Sequence, residues 1–444
     1  MDIAEYDVSS AESLLAHAMK LRGKTLAQVV DWIQIQENDQ SRGDLGSLVE
    51  SVFFNYTPPS NHGPDFPLAG VELKTTGVLR RKDGSFRAKE RLVLSMIDYN
   101  AIVNETWETS YVLQKCRLML LVFYLYEKEK AVQDRRFIPD PMLFSIPRAD
   151  FPVLKRDWET IQAKVRNGLA HELSEGDTLY LGACRKGTGG ANEALRSQPF
   201  SATLAKSRAF SLKPGYINLI LDGEVGKRDL PEVSETMSLE DASLRRLRAF
   251  IGKTTDQISR ETSILRGAGH HKGFKYALAL GMLGASGKSV PEFEKAGITL
   301  KTIPKTHTGR VKESMSFQGF RFEEIVSQEW EKSRFAEMLE QKFLFVVFRA
   351  QKDGSETFES AFYWNMPAAD IEQAHAVWEE TKKRIRSNPS ELPKASESRV
   401  AHVRPKGKNA ADMDVAPDGS MHTKKAFWLN SSYIQEVVNE FGKP

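Results

Sequence analysis

The chain consists of two related halves, because a twelve-residue segment occurs twice with its spacing intact. Residues 64–75 return as residues 291–302, and the proline, the phenylalanine, the glycine and the final Leu-Lys-Thr keep their positions. Further matches follow in the same order: 107–110 with 330–333, 118–124 with 343–349, 147–151 with 367–371, and 208–217 with 425–434. The unit is far longer than the roughly 20–50 residues of a solenoid repeat. The pattern therefore predicts a tandem duplication of a whole domain.

The length of 444 residues is sufficient for at least two hydrophobic cores. Residues 222–242 interrupt the apolar periodicity with Gly, Pro, Ser and Glu, which is typical of a connection. We therefore predict a first domain at 1–225, a linker at 226–242 and a second domain at 243–444.

Composition excludes several classes of protein. There is no run of 18 apolar residues and no charged-apolar-small leader, so we expect a cytoplasmic protein with no membrane partner. Cys116 and Cys184 are too few for a disulfide framework or a cysteine zinc site, and the histidines lack metal-binding spacing. A metal, if bound, must be held by oxygen. The net charge of +3 is weak evidence for nucleic acid, and each basic cluster alone also fits a solvated face.

The acidic residues of the first repeat are arranged for metal-dependent chemistry. Residues 69–76 alternate like a strand, which places Glu72 and Lys74 on one face, roughly 7 Å apart. Asp65 follows Gly63-Pro64, a turn signal, and we expect its carboxylate beside Glu72. The spacing alone also fits an ordinary edge strand with a surface ion pair.

A third acid lies on a predicted helix over residues 44–54, with Asp44 as N-cap and Leu45, Val49, Val52 and Phe53 toward the core. Glu50 is off that apolar stripe and is free to face the same site. In the second half Glu50 and Glu72 are replaced by Ala277 and Thr299 while the apolar framework remains. This loss favours chemistry in the first half and binding in the second.

Two carboxylates and a lysine suit phosphodiester hydrolysis. A hard cation such as Mg²⁺ is commonly held by one or two carboxylates. It can lower the pKa of a water molecule and neutralise charge on the scissile phosphate, and a lysine adds further stabilisation.

Together these residues resemble the MutH-like endonucleases. The matching positions are 43–50, 65, 70–74, 107–110 and 115. That superfamily includes a single-domain mismatch-repair nicking enzyme and longer, duplicated type II restriction enzymes that cut GATC. Residues 171–176, 208–213 and 312–317 are similar to the longer enzymes, so the resemblance covers nearly the whole chain.

The resemblance implies an α/β fold of the PD-(D/E)XK type, in which a mixed sheet is flanked by helices (α+β). It implies two tandem domains, the second catalytically degenerate. Asp65, Glu72 and Lys74 would form the catalytic core, with Glu50 as the helix-borne acid and Lys115 as an additional lysine. From the sequence alone, Lys115 is equally well a solvated lysine before an apolar strand. The expected metal ligands are Asp65, Glu72 and Glu50, with Mg²⁺ as cofactor and Mn²⁺ as a substitute.

The resemblance also implies DNA contacts from a late basic loop, 184–187, and the segment after it. Lys186 is the best match to a base-contacting lysine, although the arginine expected in this loop aligns with Cys184, so Arg185 would act from a shifted position. Arginine or lysine pairs with guanine in the major groove. The expected DNA-binding residues are Arg185, Lys186, Lys206, Arg208, Lys213, Arg404, Lys406, Lys424 and Lys425.

The sequence therefore predicts a Mg²⁺-dependent type II restriction endonuclease for duplex DNA at GATC, whose second half binds a second site as an effector. A scaffold role for that half is the alternative. We expect two DNA sites per complex, a cognate methyltransferase in the same system and a monomer in solution; dimerisation on DNA is left open. A repair-type nicking enzyme and a non-catalytic DNA-binding protein are the competing functions.

Overall fold

The computed structural model describes residues 6–30, 45–56, 63–186, 195–265, 273–330, 333–409 and 411–442. Within these ranges the chain forms a mixed α/β structure with several small sheets. Within the same ranges, no helix has both the length and the apolar character needed to cross a membrane.

The strands are numbered in chain order. Those of the first half are β1 Glu72–Arg80, β2 Phe86–Ala88, β3 Leu92–Met96, β4 Met119–Leu125, β5 Met142–Phe144, β6 Leu181–Arg185, β7 Leu195–Gln198, β8 Ser201–Lys206 and β9 Arg208–Leu212. Those of the second half are β10 Thr299–Lys305, β11 Met315–Phe320, β12 Lys342–Ala350, β13 Glu356–Asn365, β14 Ala401–Pro405, β15 Met413–Val415, β16 Met421–Thr423 and β17 Lys425–Leu429.

The helices of the described ranges lie around these sheets. In the first half they are Ala11–Ala18, Leu45–Leu48, Tyr99–Ile102, Tyr111–Cys116, Phe151–Arg166 and Pro214–Leu221. In the second half they are Leu239–Arg248, Thr255–Thr262, Phe274–Leu283, Pro291–Ala296, Phe322–Ser327, Arg334–Leu339, Ala368–Ser387 and Ser431–Phe441.

The two halves share one topology, which confirms the two tandem domains of the predicted fold. In the first, β1 pairs in parallel with β4, and β5 continues the sheet antiparallel. In the second, β10 pairs in parallel with β12, and β13 continues it in the same way. The sheets β3-β9-β6 and β11-β17-β14 correspond, as do the two-stranded pairs β7-β8 and β15-β16. The predicted boundaries at 225 and 242 stay a prediction.

The elements predicted around the acidic residues are present. The alternating segment 69–76 overlaps β1, which begins at Glu72 because residues 67–70 form a turn, and the apolar run 118–124 is β4 shifted by one residue. The helix over 44–54 begins as Leu45–Leu48 and continues as a π-helix over Val49–Phe53, and its predicted core residues are buried. Asp44, the predicted N-cap, lies outside the described residues.

The core formed by the described residues is divided into three hydrophobic clusters, and the largest one extends across both halves. It joins Trp158 and Tyr216 of the first half to Phe293, Val346 and Phe358 of the second. The other two clusters are confined to the second half and to the N-terminal part. The halves are therefore packed against each other through apolar side chains.

A buried ion pair accompanies this apolar contact. The Lys295 ammonium donates to both oxygens of Asp150, at 3.0 and 2.7 Å, and both side chains are almost fully buried. Tyr216 Oη donates to the same carboxylate at 2.7 Å. Burial lowers the pKa of Lys295, and the Asp150 charge opposes that effect. Because an uncompensated buried charge is costly, this pair requires the two halves to stay in register.

The same aspartate-tyrosine pair recurs in the second half. Asp370 is the repeat of Asp150, and it accepts from Tyr433 Oη at 2.8 Å and from Arg399. In the second half the cation that contacts the aspartate, Arg399, belongs to that same half. In the first half Lys295 of the other half provides it, together with Arg228 at 3.0 Å. A feature internal to the repeat has thus become part of the contact between repeats.

Substitution of Lys295 by alanine should lower the free energy of unfolding by about 3–5 kcal/mol, since it leaves Asp150 buried with fewer cations. Lys227→Ala is the matched control, because the Lys227–Glu224 pair is exposed and should contribute less than about 1 kcal/mol. Denaturant unfolding of both variants measures the difference. Equal, small effects would show that the interface does not depend on the ion pair.

Candidate active site

The candidate site lies where β1 begins beside β4. Glu72, the first residue of β1, is in register with Met119, and its backbone N–H donates to Leu118 O at 3.0 Å. Val71 and Leu73 are buried in the core on the opposite side of the strand. The Glu72 side chain is 0% exposed, so its carboxylate needs partners within the protein.

Three donors satisfy the buried Glu72 carboxylate. Lys74 Nζ lies 2.5 Å and Lys115 Nζ 2.7 Å from Oε1, and the Asp65 backbone N–H donates to Oε2 at 3.1 Å. The structure therefore places Glu72, Lys74 and Lys115 together. The alternative of a solvated Lys115 is wrong, because its side chain is only 14% exposed.

A tight loop brings Asp65 to Glu72, as predicted. Phe66 and Val71 form a two-way backbone bridge, with N···O distances of 2.9 and 3.1 Å, which folds residues 66–71 back on themselves. Asp65 Oδ2 then accepts from the Leu73 backbone N–H at 2.9 Å. The exchange of bonds fixes both carboxylates at the start of the strand.

Lys115 reaches the site from the helix Tyr111–Cys116. Ser110 caps this helix by accepting from the Leu113 backbone N–H at 3.2 Å, and its own hydroxyl donates to Trp107 O at 2.8 Å. The helix ends just before β4, so its last turn lies beside Glu72. The recurring Trp-Glu-x-Ser segment of the sequence is therefore the start of the helix that positions this lysine.

The electrostatics of the site follow from burial. Burial and then the Glu72 charge raise the pKa of Asp65, whereas Lys74 and Lys115 act in the opposite direction. Burial, followed by the Glu72 charge, also raises the pKa of Cys116 to about 12, which keeps this thiol neutral. Two carboxylates are thus balanced by two ammonium groups.

The third predicted acid does not complete a metal-binding group. Among the described residues there is no set of three or more His, Cys, Asp or Glu side chains that could hold a metal ion. Glu50 is half-buried on the π-helix, and its carbonyl accepts from the Tyr56 backbone N–H at 3.0 Å. Its role as a third ligand stays a prediction.

A cleft of about 830 Å³ opens beside the Asp65 carboxylate. Asp65 and Lys115 line it, together with Tyr111 on the helix and Arg196 and Ser197 on β7. The predicted site residues did not include Arg196 or Ser197. The signal for them in the sequence is weak, since only the alternation of residues 195–206 marks this segment as a hairpin.

The equivalent place in the second half carries no carboxylate pair. Thr299 replaces Glu72, and its hydroxyl donates to Gln341 Oε1 at 2.7 Å. Glu292 replaces Asp65, but it is buried and accepts from the backbone N–H groups of Asp229 and Leu230 instead. Burial, and then Lys406, lower the pKa of Lys301, the repeat of Lys74. The second site thus keeps this lysine but has a neutral threonine where the first site has the buried carboxylate.

The predicted DNA-binding residues of the first half are placed in two different ways. Lys186 and Lys206 are partly exposed near the junction of β6 and β9, whereas Arg185 forms an ion pair with Glu340 of the second half at 2.9 Å. Arg208 and Lys213 are buried. For these two the prediction of a DNA contact is corrected, because their cations are bound to backbone carbonyls.

The partners of the buried cations explain the correction. Arg208 Nη1 donates to Ala183 O at 2.5 Å, and Lys213 Nζ donates to Thr178 O and Ala296 O at 2.6 and 3.0 Å. Burial lowers the pKa of Lys213 to about 8. Lys213 therefore connects the halves and is closed to solvent.

The predicted DNA-binding residues of the second half lie at the surface. Arg404 is stacked over Trp428 at 5.3 Å, and Lys406 donates to Ser316 Oγ at 3.1 Å. Lys424 is exposed and paired with Asp412, and Lys425 is half-buried. These residues border β14 and β17, as Lys186 and Lys206 border β6 and β9.

Comparison with known proteins gives relatives for the whole chain and for its half. The family described as DNA mismatch repair enzyme MutH matches residues 54–157 and 283–375. Type II restriction enzyme Sau3AI of Staphylococcus aureus is 34% identical over 464 residues, which cover 90% of this chain and 93% of that enzyme. DNA mismatch repair protein MutH of Shigella flexneri is 28% identical over 217 residues, 47% of this chain and 91% of that protein. The protein of the same name from Shewanella woodyi is 27% identical over 48% of this chain and 92% of its own length.

Because the pKa of Asp65 is raised, we expect its ionised carboxylate to lower the stability of the folded protein. Below the ordinary aspartate pKa of about 4 the carboxyl is protonated in both the folded and the unfolded protein, so it does not lower the stability there. The loss of stability develops as the pH rises through the raised pKa and is complete above it. Asp65→Asn should therefore raise the Tm at pH 7 in chelator, and raise it less near pH 4.

Asp83 is the control of opposite sign, because hydrogen bonds from Ser85 lower the pKa of this carboxyl. Asp83→Asn should lower the Tm at pH 7. A lower Tm for Asp65→Asn at pH 7 would mean that attraction by the two lysines outweighs the burial of Asp65.

Proposed function

The chain belongs to the MutH-like superfamily and is a type II restriction endonuclease, and from this premise we propose that it cleaves duplex DNA at GATC with Mg²⁺. The target follows from the resemblance to the duplicated GATC-cutting enzymes. Because a restriction enzyme would also cut the DNA of its own cell, we propose a cognate methyltransferase as its partner.

The observation that carries the proposal is the group of four side chains at the start of β1. Asp65 and Glu72 are joined through backbone hydrogen bonds, and Lys74 and Lys115 both contact Glu72. Burial of these four charged side chains does not explain the stability of the fold, because a buried ion pair seldom stabilises a protein more than apolar residues of similar volume do. The arrangement is therefore best explained by chemistry.

The donor set fits a hard divalent cation. Mg²⁺ is usually held by one or two carboxylates together with waters and substrate phosphates, and Asp65 and Glu72 supply that pair of carboxylates. When bound, the ion would generate a nucleophile from water and offset charge on the scissile phosphate. Mn²⁺, which prefers similar oxygen ligands, would substitute for it.

The two lysines have complementary roles in this proposal. In support of these roles, both ammonium groups are paired with Glu72 and both side chains are largely buried. Lys74 would hold the phosphate and orient the attacking water, and Lys115 would stabilise negative charge that develops on the phosphate. Such preorganised donors are effective because they need no rearrangement during the reaction.

For the second half we propose an effector role. It keeps the strands β10–β17 and exposed basic residues at Arg404 and Lys406, whereas its catalytic position is the neutral Thr299–Gln341 pair. Binding a second DNA site there would favour the active state of the first half by linkage, or would increase avidity when both sites lie on one DNA.

Glu72→Ala should abolish cleavage and leave DNA binding intact, since the cation loses a ligand. We expect a loss of roughly 10³-fold or more, equivalent to several kcal/mol of transition-state stabilisation. Thr299→Ala, at the same position of the second half, is the matched control and should cleave normally. Plasmid digestion with Mg²⁺ measures both; a Glu72→Ala variant that still digests would refute the assignment.

The same digestion separates the competing functions. Discrete fragments ending at GATC support a restriction enzyme, and nicked circles support a repair-type nicking enzyme. Retarded but uncut DNA, with Asp65 and Glu72 as relics, would indicate a non-catalytic DNA-binding protein.

The effector role predicts faster cleavage of DNA that carries two sites. Plasmids with one and two GATC sites should differ in rate by at least severalfold, as expected for a coupling of 1–3 kcal/mol. A site-bearing oligonucleotide added in trans should accelerate the one-site plasmid. Equal rates without stimulation would favour the scaffold role instead.

A further inference from the structure

Each half carries a two-stranded ribbon that extends from the sheet with the predicted DNA-binding residues. The first ribbon, residues 195–206, is formed by β7 and β8, and the second, residues 413–423, by β15 and β16. The Lys186 N–H donates to Ser207 O at 2.8 Å, and the Lys406 N–H donates to Lys424 O at 2.7 Å. Both ribbons thus continue a strand pair, β6-β9 in one half and β14-β17 in the other.

Both ribbons expose large apolar side chains. Of the fourteen such side chains among the described residues, six lie on the ribbons: Leu195, Phe200, Leu204, Met413, Val415 and Met421. Exposed apolar residues are ordinary when they are scattered singly, but a cluster marks a binding surface. Because the cluster lies at the same place in both repeats, it is a feature of the duplicated domain.

The apolar side chains of the second ribbon share one face. Val415 is paired with Met421 across the strands, and Met413 with Thr423, so all four point the same way. The opposite face is attached to the protein, because Asp414 is buried and accepts from the Phe322 N–H at 2.9 Å. The ribbon is therefore anchored on its inner side and apolar on its outer side.

The first ribbon has the same two-sided construction. Leu195 is paired with Lys206, and Leu204 lies two residues before Lys206 on the same face. On the other face Ala205 is buried in the core, and Arg196, its cross-strand partner, lines the cleft that contains Asp65. The inner face of the ribbon therefore borders the catalytic cleft, and the outer face lies on the opposite side of the same two strands.

The tip of the first ribbon is held in a strained conformation. Phe200 has φ 62°, which is unusual for a large residue, and its ring is 75% exposed. Gly168 allows the close approach of this turn, since a Cβ there would lie 2.7 Å from Phe200 O. Gln198 braces it further by accepting from the Ala170 N–H at 2.7 Å and donating to Thr203 O at 2.6 Å.

We propose that both ribbons enter a groove of duplex DNA, with their apolar outer faces against the base edges. This inference rests on the proposed function and adds the elements that contact the bases. A two-stranded ribbon fits the major groove, where apolar side chains contact thymine methyl groups. Basic residues flank both faces, Lys186 and Lys206 in one half and Arg404 and Lys406 in the other, in positions to hold phosphates.

The test uses the full chain with Ca²⁺ in place of Mg²⁺ and a labelled GATC duplex. The first-ribbon variant combines Leu195→Ser and Leu204→Ser, and the second-ribbon variant combines Met413→Ser, Val415→Ser and Met421→Ser. Phe200→Gly is a third variant, because glycine accepts the positive φ without strain and the fold is retained. Leu265→Ser, at a site 85% exposed outside both ribbons, is the control.

Each ribbon variant should bind the duplex about tenfold more weakly or worse, as loss of several buried apolar groups implies. The salt dependence of binding should be unchanged, since no phosphate contact is removed. The control should bind as the unsubstituted chain does.

Unchanged affinity in the ribbon variants and in Phe200→Gly, with normal binding by the unsubstituted chain, would overturn the ribbon inference alone. So would a change in oligomeric state without DNA and without loss of DNA affinity, because the ribbons would then bind a second copy. No binding of the GATC duplex by the unsubstituted chain would overturn the proposed function and this inference with it.

Discussion

The requirement to neutralise one buried carboxylate determines the architecture of the first half. Glu72 is fully buried at the start of β1, and a buried charge is tolerated only with close, well-oriented partners. Three features bring partners to this carboxylate or fix its position. They are the loop that places Asp65 beside it, the capped helix that carries Lys115, and the parallel pairing of β1 with β4. In the second half Thr299 stands in its place, and a neutral Gln341 suffices as partner. At this position the second half therefore has neither the buried carboxylate nor the ion pairs that the carboxylate forms in the first half.

Two charged residues of the second repeat, Glu292 and Lys295, have structural roles. Glu292 accepts hydrogen bonds from the backbone N–H groups of Asp229 and Leu230, which lie in the predicted linker. Lys295 occupies the repeat position of Leu68, which is 76% exposed in the first half, yet Lys295 is buried against Asp150. The ion pair between Lys295 and Asp150 therefore accompanies the apolar contact between the halves that the largest core cluster forms.

Features that depend on local sequence patterns could be predicted, whereas features that depend on contacts between distant parts of the chain could not. Strands β1 and β4 and the proximity of Asp65 to Glu72 follow from alternation and turn signals within about ten residues of sequence. Arg208 and Lys213 show the limit of such arguments, because their burial depends on strands and helices distant in the chain, including Ala296 of the other half. The polar run 409–420, which has the composition of a loop, contains β15, because pairing with β16 overrides local propensity. The second ribbon was missed for that reason, and the first because only the weak alternation of residues 195–206 marks it as a hairpin.

The contacts between the halves suggest how binding by one could affect the other. Glu340 of the second half is paired with Arg185 at the end of β6, and the next residue, Gln341, is bonded to Thr299 at the former catalytic position. A DNA-induced shift at that position would therefore act directly on Glu340, and through it on a predicted DNA-contacting residue of the first half. The pairing also means that Arg185 must exchange Glu340 for a DNA partner before it can bind guanine. If both ends of this contact respond to DNA, as the proposed effector role requires, coupling between the sites needs only a change of partner at one ion pair and no large rearrangement of the shared core.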